Sequence, residues 1–307
     1  MKESMSRRFV TKSFPSKRRL LVLGALSVLL CIGCSEHAQS NGREEGSKHV
    51  QTGPETFNNK LGMDFRYVPA GDFTMGWFGH AEELLAMNDL VQRLEAPHNV
   101  RIKKGFYIQL SEVTNEQFRR FTAATGYDGG EQGKERFLQH LHDPEYMAFR
   151  DADKPVVFVS WNDAEAFCEW LSKADARVYR LPTEEEWEYV CKAGGDENFC
   201  RSLGKQLEEY AWFAENAGGH THRVATRKPS PLGVHDMLGN VWEWTSSLFS
   251  PELAEESELG SEVIHIRGGS FESLRGYCRS SLRWAGWPPS KRDQRIGFRL
   301  LCENPRR

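Results

Sequence analysis

The sequence predicts an α+β fold that is compact and loop-rich, with short helices and small antiparallel sheets. Two observations lead to this class. Helix-capping signals open only short amphipathic segments, and the strand-like runs between them are short and follow no regular βαβ order. The 27 glycines and 13 prolines are scattered through the chain and interrupt both kinds of element. About 250 residues beyond the N-terminal segment suffice for one large core.

Residues 1–33 are predicted to be a signal peptide of the lipoprotein type. Basic residues precede Leu20–Gly33, an uncharged apolar run of signal-peptide length that is too short to span a membrane. Gly33-Cys34 resembles the bacterial lipoprotein cleavage box, although Cys31 stands where that box prefers leucine. We therefore expect lipidation at Cys34 and a membrane partner reached through the lipid anchor. Ordinary secretory cleavage and an uncleaved anchor are the alternatives.

A polar segment at 34–56 is predicted to be a flexible tether, and a single folded domain follows at 57–307. Loss of residues 1–33 would remove seven basic residues and one acid, changing the net charge from −3 to −9. An acidic body without a basic stripe argues against nucleic acid as a partner.

Three helices are predicted from their N-terminal caps. Thr114, Ser160 and Thr183 are each followed, three residues later, by an acid or a glutamine, which is the capping-box pattern. Gly126 predicts the end of the first helix, and Gly194-Gly195 the end of the third. The acids after Thr183 complement the helix dipole, and we favour this role over metal binding.

Strand-like runs are short. Phe65–Pro69 and Phe73–Trp77 flank a turn and are compatible with a hairpin. The segment 241–245 alternates strictly and places Trp242 and Trp244 on one face, where we expect them to pack as core. Further strands are predicted at 156–159, 263–267 and 296–301.

Five segments, in order, carry a family resemblance. They are Val68–Gly76, Glu112–Phe118, Pro155–Ala164 with Arg180–Tyr189, Gly233–Thr245, and Arg267–Ser270 with Gly297–Arg299. Together they resemble the formylglycine-generating enzyme, or sulfatase-modifying factor, family over 57–302. The resemblance implies that family's compact fold, which has little regular structure and is related to C-type lectin-like domains.

The resemblance also implies a calcium site. Asp236, Gly239, Val241 and Glu243 match positions that bind calcium in family members. Two carboxylates and two backbone carbonyls around a tight turn form a hard-oxygen set that suits Ca²⁺. The alternative is that the two acids only accept hydrogen bonds from turn amides.

The predicted catalytic centre departs from the family pattern. The resemblance implies an oxidase that converts a protein cysteine to formylglycine with O₂, using copper held by two thiolates. Cys278 matches the second thiolate, but Ser273 stands at the first, and a hydroxyl is a poor ligand for Cu(I). Ser270 matches a serine of the family's active site. Copper is therefore not expected, and Cys278 has the alternative role of a buried apolar residue.

The remaining cysteines supply no obvious copper ligand. By resemblance, Cys168 and Cys302 form a disulfide. Cys191 matches a bridged position whose family partner is missing here. It either pairs locally with Cys200, or both stay free.

The closely spaced histidines also fail to suggest a metal centre. His140 and His142 form one pair, and His220 and His222 another. Neither pair is accompanied by cysteines or acids at structural-zinc spacing. We expect both pairs in loops or on the surface.

Three functions follow from these observations. The favoured hypothesis is a non-catalytic binding or accessory domain at the cell envelope, with a peptide, protein or glycan ligand in a pocket around Trp242, Trp284, Trp287 and Cys278. The second is a formylglycine-generating oxidoreductase with unusual copper ligation or with no metal. The third is a structural envelope lipoprotein, with which the polar tether agrees. The fold alone does not decide among them.

Overall fold

A computed structural model describes residues 55–77, 89–129, 149–249 and 263–304. The predicted signal peptide, Cys34, residues 34–54 of the predicted tether, and the pair His140 and His142 lie outside these residues. Within the described ranges, no helix combines the length and apolar character needed to cross a bilayer.

Short strands make up three small sheets. In chain order they are β1 (Thr56–Asn58), β2 (Asp64–Val68), β3 (Gly71–Met75), β4 (His98–Ile102), β5 (Phe106–Gln109), β6 (Tyr179–Arg180), β7 (Trp242–Leu248), β8 (Ile264–Arg267), β9 (Trp284–Trp287), β10 (Ile296–Gly297) and β11 (Leu301–Glu303). The largest sheet has the order β1-β2-β5-β11-β6 and is antiparallel. A second sheet has the order β10-β7-β8-β9, in which only the β10–β7 pair is parallel. The third sheet is the pair β3–β4.

The described residues contain five helices, three of which begin at the predicted caps. They are α1 (Asp89–Leu94), α2 (Asn115–Thr125), α3 (Trp161–Asp175), α4 (Glu184–Cys191) and α5 (Glu197–Tyr210). Thr114, Ser160 and Thr183 each form a complete capping box, and Gly126 closes α2 in the left-handed conformation. The α+β class with short helices and small, mainly antiparallel sheets is therefore confirmed.

Helix α5 was missed in the sequence. Asp196 caps it by accepting hydrogen bonds from the amides of Asn198 and Phe199. Leu203 and Leu207 are buried at i, i+4 spacing. That spacing was the available signal, but the helix contains a glycine and is kinked at Gln206, which weakens its pattern.

Three strand predictions were wrong in detail. Strands β2 and β3 do not pair with each other: β2 lies between β1 and β5, while β3 pairs with β4. The segment 156–159 is buried but forms no strand, because Phe158 has φ of 58° and breaks the extended backbone. The predicted terminal strand at 296–301 is divided between β10 and β11, which belong to different sheets.

Two large clusters of buried side chains fill the interior. One packs α2 and α3 against the largest sheet and includes Phe167, Trp244 and Phe298. The other packs α4 and α5 against β3 and β5 and includes Trp187 and Cys278. Trp242, Ile266 and Ile296 of the second sheet belong to the first cluster as well.

Candidate functional site

A cleft of about 210 Å³ opens beside the second sheet. Its apolar wall consists of Trp242, Ile266, Trp287 and Ile296. The other lining residues are Ser270, Glu272, Ser273, Leu274, Tyr277 and Arg295. The cleft therefore combines aromatic and aliphatic surface with a few polar groups, a composition typical of ligand pockets.

Strand pairing brings the two indoles of the cleft together from distant parts of the chain. Trp242 lies on β7 opposite Ile296 of β10, and Trp287 lies on β9 opposite Ile264 of β8. Trp242 is buried and Trp287 half-buried. Trp284 begins β9, but its side chain lies outside what the structure describes. The structure thus places two of the three predicted binding tryptophans in one cleft.

A short 3₁₀ turn, Arg275–Tyr277, forms the rim of the cleft. Leu274 and Tyr277 are unusually exposed for large hydrophobic residues, at 60% and 41%. Both residues line the cleft, so their exposed apolar surface adds to its wall. Sequence reasoning missed both residues, because nothing in the local pattern distinguishes a rim residue from a core residue.

Two of the residues that line the cleft, Glu272 and Arg295, carry opposite charges. Arg295 donates to the Asp293 carboxylate at 2.7 and 2.9 Å, and its Nε lies 3.7 Å from a Glu272 oxygen. Arg295 and Lys291 also lie over the ring of Trp287, 5.8 and 4.5 Å from its centroid. These contacts hold the indole in place and leave charges of both signs next to the apolar wall.

The turn after β8 positions the predicted catalytic serines against each other. The Ser270 amide donates to Ser273 Oγ at 2.9 Å, and the two hydroxyl oxygens lie 3.3 Å apart. Cys278 points away from them, into the second core cluster, and is not among the residues that line the cleft. A Cβ on Gly269 would lie 2.8 Å from Cys278 Sγ, so this turn covers the thiol. Burial raises the pKa of Cys278 to about 12.

The model of the sulfatase-modifying factor enzyme 1-like domain matches residues 51–304. The chain belongs to the sulfatase-modifying factor family. It is 29% identical to the formylglycine-generating enzyme of Mus musculus, over 89% of this chain and 83% of the mouse protein. It is 27% identical to the mouse inactive C-alpha-formylglycine-generating enzyme 2, over 67% of this chain and 77% of that protein.

A solved structure with a similar sequence also has a similar fold. PvdO from Pseudomonas aeruginosa superposes with a TM-score of 0.63 at 27% sequence identity. The match covers 81% of this chain and 97% of PvdO. The fold expected from the five motifs is thereby confirmed.

The residues present do not fit the copper centre of a formylglycine-generating enzyme. Ser273 accepts a backbone hydrogen bond, and Cys278 is buried behind the turn with its thiol protonated at neutral pH. Two soft thiolates are what Cu(I) requires, and this chain offers one inaccessible thiol in that region. No oxidative step can therefore be derived from this site.

The four predicted calcium positions lie in different environments. Glu243 accepts hydrogen bonds from Arg299 and from the Trp187 indole on both of its oxygens. Gly239 and Val241 have no side-chain oxygen, so only their backbone carbonyls could bind an ion. Asp236 Oδ2 accepts the Ala225 amide at 2.6 Å, whereas its buried Oδ1 has no hydrogen-bond partner. Asp236 alone among the four thus keeps a free side-chain oxygen.

Glu112 lies beside this group, and sequence reasoning gave it no role. It is fully buried, Asn240 donates to its Oε1 at 3.1 Å, and its Oε2 has no partner. Burial and then the negative charge of Asp236 raise the pKa of Glu112 well above its usual value. Burial also raises the pKa of Asp236, to about 6. Within the described ranges, no three acidic, histidine or cysteine side chains surround one metal position.

The other predicted cysteine roles gain no support. Cys168 and Cys302 are both buried, and the structure describes no bond between them. Their disulfide stays a prediction. Cys191 is buried in the second cluster. The side chain of Cys200 lies outside the described residues, and its pairing is untested.

His220 and His222 form part of a stacked column rather than a metal site. His222 stacks on Trp212 at 3.7 Å between ring centroids, and His220 lies 4.7 Å from His222. Arg227 lies over the Trp212 ring at 3.6 Å. His222 Nε2 is hydrogen-bonded to the Ala217 carbonyl at 2.8 Å, so this nitrogen is not free for a metal.

Proposed function

We propose that this protein is a non-catalytic binding domain that holds a peptide segment of a partner protein in the cleft between Trp242 and Trp287. One observation carries the proposal. Ser273, at the position of the family's first thiolate, is hydrogen-bonded to Ser270, while Cys278 is buried outside the cleft. The cleft therefore has a lining suited to a ligand, and no cysteine is among its lining residues. The family also includes a mouse relative whose name describes it as inactive.

The chemistry of the cleft favours a peptide over a glycan. Indole faces and the exposed Leu274 suit apolar side chains, and Arg295 with Glu272 offers charges of both signs in the lining. Aromatic anchors surrounded by a polar rim are typical of protein recognition sites. Burial of Leu274 alone would contribute about 1.5 kcal/mol to binding.

The proposal is tested by measuring binding of the purified domain to a library of short peptides and to a glycan array. We expect peptide ligands, with Leu274→Ser lowering their affinity about tenfold through the loss of that apolar contact. Val178→Ser is the matched control, because Val178 is 54% exposed and does not line the cleft. Glycan binding without peptide binding would contradict the proposal, and so would an unchanged affinity of the Leu274 variant.

The alternative is a formylglycine-generating oxidoreductase, which the family's named enzymes favour. It predicts O₂ consumption and conversion of a cysteine-containing sulfatase peptide when copper is supplied. It further predicts that Cys278→Ala abolishes the conversion. Turnover by the wild type that is lost in this variant would replace the binding proposal.

We further propose that the domain acts at the cell envelope through a lipid on Cys34, after removal of residues 1–33. The basic segment followed by an apolar run and Gly33-Cys34 supports this location. Mass spectrometry of the mature N-terminus tests it, since a diacylglycerol adduct on Cys34 is expected and should be lost in Cys34→Ala. A purely structural lipoprotein is the remaining alternative, and it predicts no saturable peptide binding.

A further inference from the structure

Two serine hydroxyls lie side by side in the lining of the cleft. Ser270 and Ser273 both line it, and their Oγ atoms are 3.3 Å apart. Each oxygen also accepts one hydrogen bond from the backbone. Ser273 Oγ accepts the Ser270 amide at 2.9 Å, and Ser270 Oγ accepts the Glu272 amide at 3.3 Å. The turn after β8 therefore holds both hydroxyl oxygens in place.

This pair of hydroxyls has one hydrogen more than it can use internally. A hydroxyl group has one donor hydrogen and two acceptor lone pairs, so one serine donates to the other and the second hydrogen has no acceptor among the described residues. Burial decides which serine keeps that hydrogen. Ser270 is 1% exposed, whereas Ser273 is only partly buried. An unused donor on Ser270 would be buried and costly, so Ser270 donates and Ser273 keeps the free hydrogen.

Ser273 therefore acts towards the cleft as a donor and not as an acceptor. Both acceptor positions of its Oγ are filled, one by the Ser270 amide and the other by the Ser270 hydroxyl. A ligand group that contacts this hydroxyl must supply an acceptor atom, and oxygen is the usual one in biological ligands.

The charges of the lining distinguish between kinds of acceptor oxygen. Among the described lining residues, Glu272 and Arg295 are the charged ones, so the lining carries no net charge. Arg295 already directs its Nε and Nη2 at Asp293, at 2.7 and 2.9 Å. A ligand carboxylate would lose its hydration in a lining whose one cation is already paired, which is unfavourable. An uncharged carbonyl oxygen avoids this cost.

We propose that Ser273 determines the specificity of the cleft by donating a hydrogen bond to a backbone carbonyl within a peptide segment. The inference rests on the proposed peptide-binding function and adds to it the group that the ligand must present. An internal peptide segment offers uncharged carbonyl acceptors, and its side chains supply apolar groups for Trp242 and Trp287. A chain terminus that presents its free carboxylate meets only the second requirement.

The test uses N-acetyl-leucinamide, a small neutral probe with an apolar side chain between two carbonyl groups. Its analogue with sulfur in place of both carbonyl oxygens has a similar shape but is a weaker acceptor. Binding of each probe to the folded chain is followed by NMR through the indole N–H resonances of Trp242 and Trp287. We expect the wild type to bind the oxygen probe about two- to tenfold more tightly than the sulfur probe, which is the effect of one uncharged hydrogen bond.

Ser273→Ala should abolish this preference by lowering the affinity for the oxygen probe to that for the sulfur probe. Leu274→Ser should weaken both probes by the same factor, because it removes an apolar contact and leaves the Ser273 donor in place. Ser202→Ala is the matched control, since the Ser202 hydroxyl donates to the Phe199 carbonyl at 2.7 Å and does not line the cleft. It should bind both probes as the wild type does.

Two results would overturn the role of Ser273 and leave peptide binding standing. One is equal affinity of the wild type for the two probes, which needs no variant and so remains available if Ser273→Ala does not fold. The other is a preference for the oxygen probe that survives Ser273→Ala.

A third probe, N-acetyl-leucine, carries a carboxylate in place of the terminal amide. Tighter binding of this probe than of N-acetyl-leucinamide would overturn the choice of an uncharged carbonyl. If none of the three probes shifts the two indole resonances, the cleft does not bind these peptide groups, and the proposed function fails together with the role of Ser273.

Discussion

Arg299 and Glu243 form a fully buried, bidentate ion pair between the two main sheets. Arg299 Nε lies 2.7 Å from Glu243 Oε2, and Nη2 lies 2.7 Å from Oε1. Glu243 belongs to β7 of the second sheet, and Arg299 lies between β10 and β11, which belong to different sheets. The Gln109 and His235 carbonyls accept the other Arg299 donors. The pair therefore fixes how the end of the chain crosses from one sheet to the other.

Glu243→Gln should lower the free energy of unfolding by about 3–5 kcal/mol, because it leaves the Arg299 charge buried without its partner. Urea denaturation measures this loss. Asp72→Asn is the control, since Asp72 forms an exposed pair with Arg101 and its loss should not shift the denaturation midpoint. Equal effects of the two substitutions would contradict a structural role for the buried pair.

Gly239→Ala should destabilise the protein by more than about 3 kcal/mol. Gly239 has φ of 78°, and a Cβ there would lie 2.1 Å from the Trp212 carbonyl oxygen, so backbone would have to move. Gly126 has a similar φ of 69° but no atom within 4 Å of the Cβ position, and Gly126→Ala should cost only about 1 kcal/mol. Denaturant titration of both variants separates steric conflict from backbone strain. Similar losses would show that Trp212 can move aside.

The Cys278 thiol should resist alkylation in the folded protein. With a pKa of about 12, it has only about one thiolate in ten thousand molecules at pH 8, and the turn at Gly269 covers it. Iodoacetamide labelling after reduction, followed by peptide mass spectrometry, should find Cys278 unmodified in buffer and modified in urea. Labelling in buffer at the rate of free glutathione in the same tube would show that the thiol is accessible.

His265 should make stability fall as the solution is acidified. Burial, together with Arg267 and Arg283, lowers its pKa to about 3, and its buried Nδ1 has no hydrogen-bond partner. The unfolded chain takes up a proton near pH 6.5 while the folded protein does not. The contribution of His265 is therefore complete above about pH 6.5 and is lost progressively as the pH falls towards 3.

The pH effect is measured by comparing the wild type with His265→Gln in urea at several pH values. The difference in unfolding free energy should change by about 1.4 kcal/mol for each pH unit between about 6 and 4, with the wild type losing stability faster. This comparison cancels the carboxylates that titrate in the same range, because both proteins contain them. Parallel pH profiles would show that His265 accepts a proton within the fold.

Local signals in the sequence predicted the starts of three helices but not which strands pair with one another. Thr114, Ser160 and Thr183 cap their helices through hydrogen bonds that span three residues, so the pattern is complete within a short segment. The prediction that β2 and β3 form a hairpin was wrong. The residues of the turn between them favour a reversal of the chain, but they do not specify which strands pair after it. Strand β2 instead pairs with β5, whose side chains it meets only in the folded chain.

The sequence by itself determined the family, the α+β class and the replacement of the first copper thiolate by Ser273. Each of these depends only on which residues are present and on their order along the chain. Only the tertiary structure decided that Cys278 is buried outside the cleft, that Leu274 and Tyr277 line the cleft, and that Glu112 is buried and accepts a hydrogen bond from Asn240. Burial and charge proximity arise from contacts between residues far apart in the chain. No local pattern in the sequence predicts such contacts, because they form only when the chain folds.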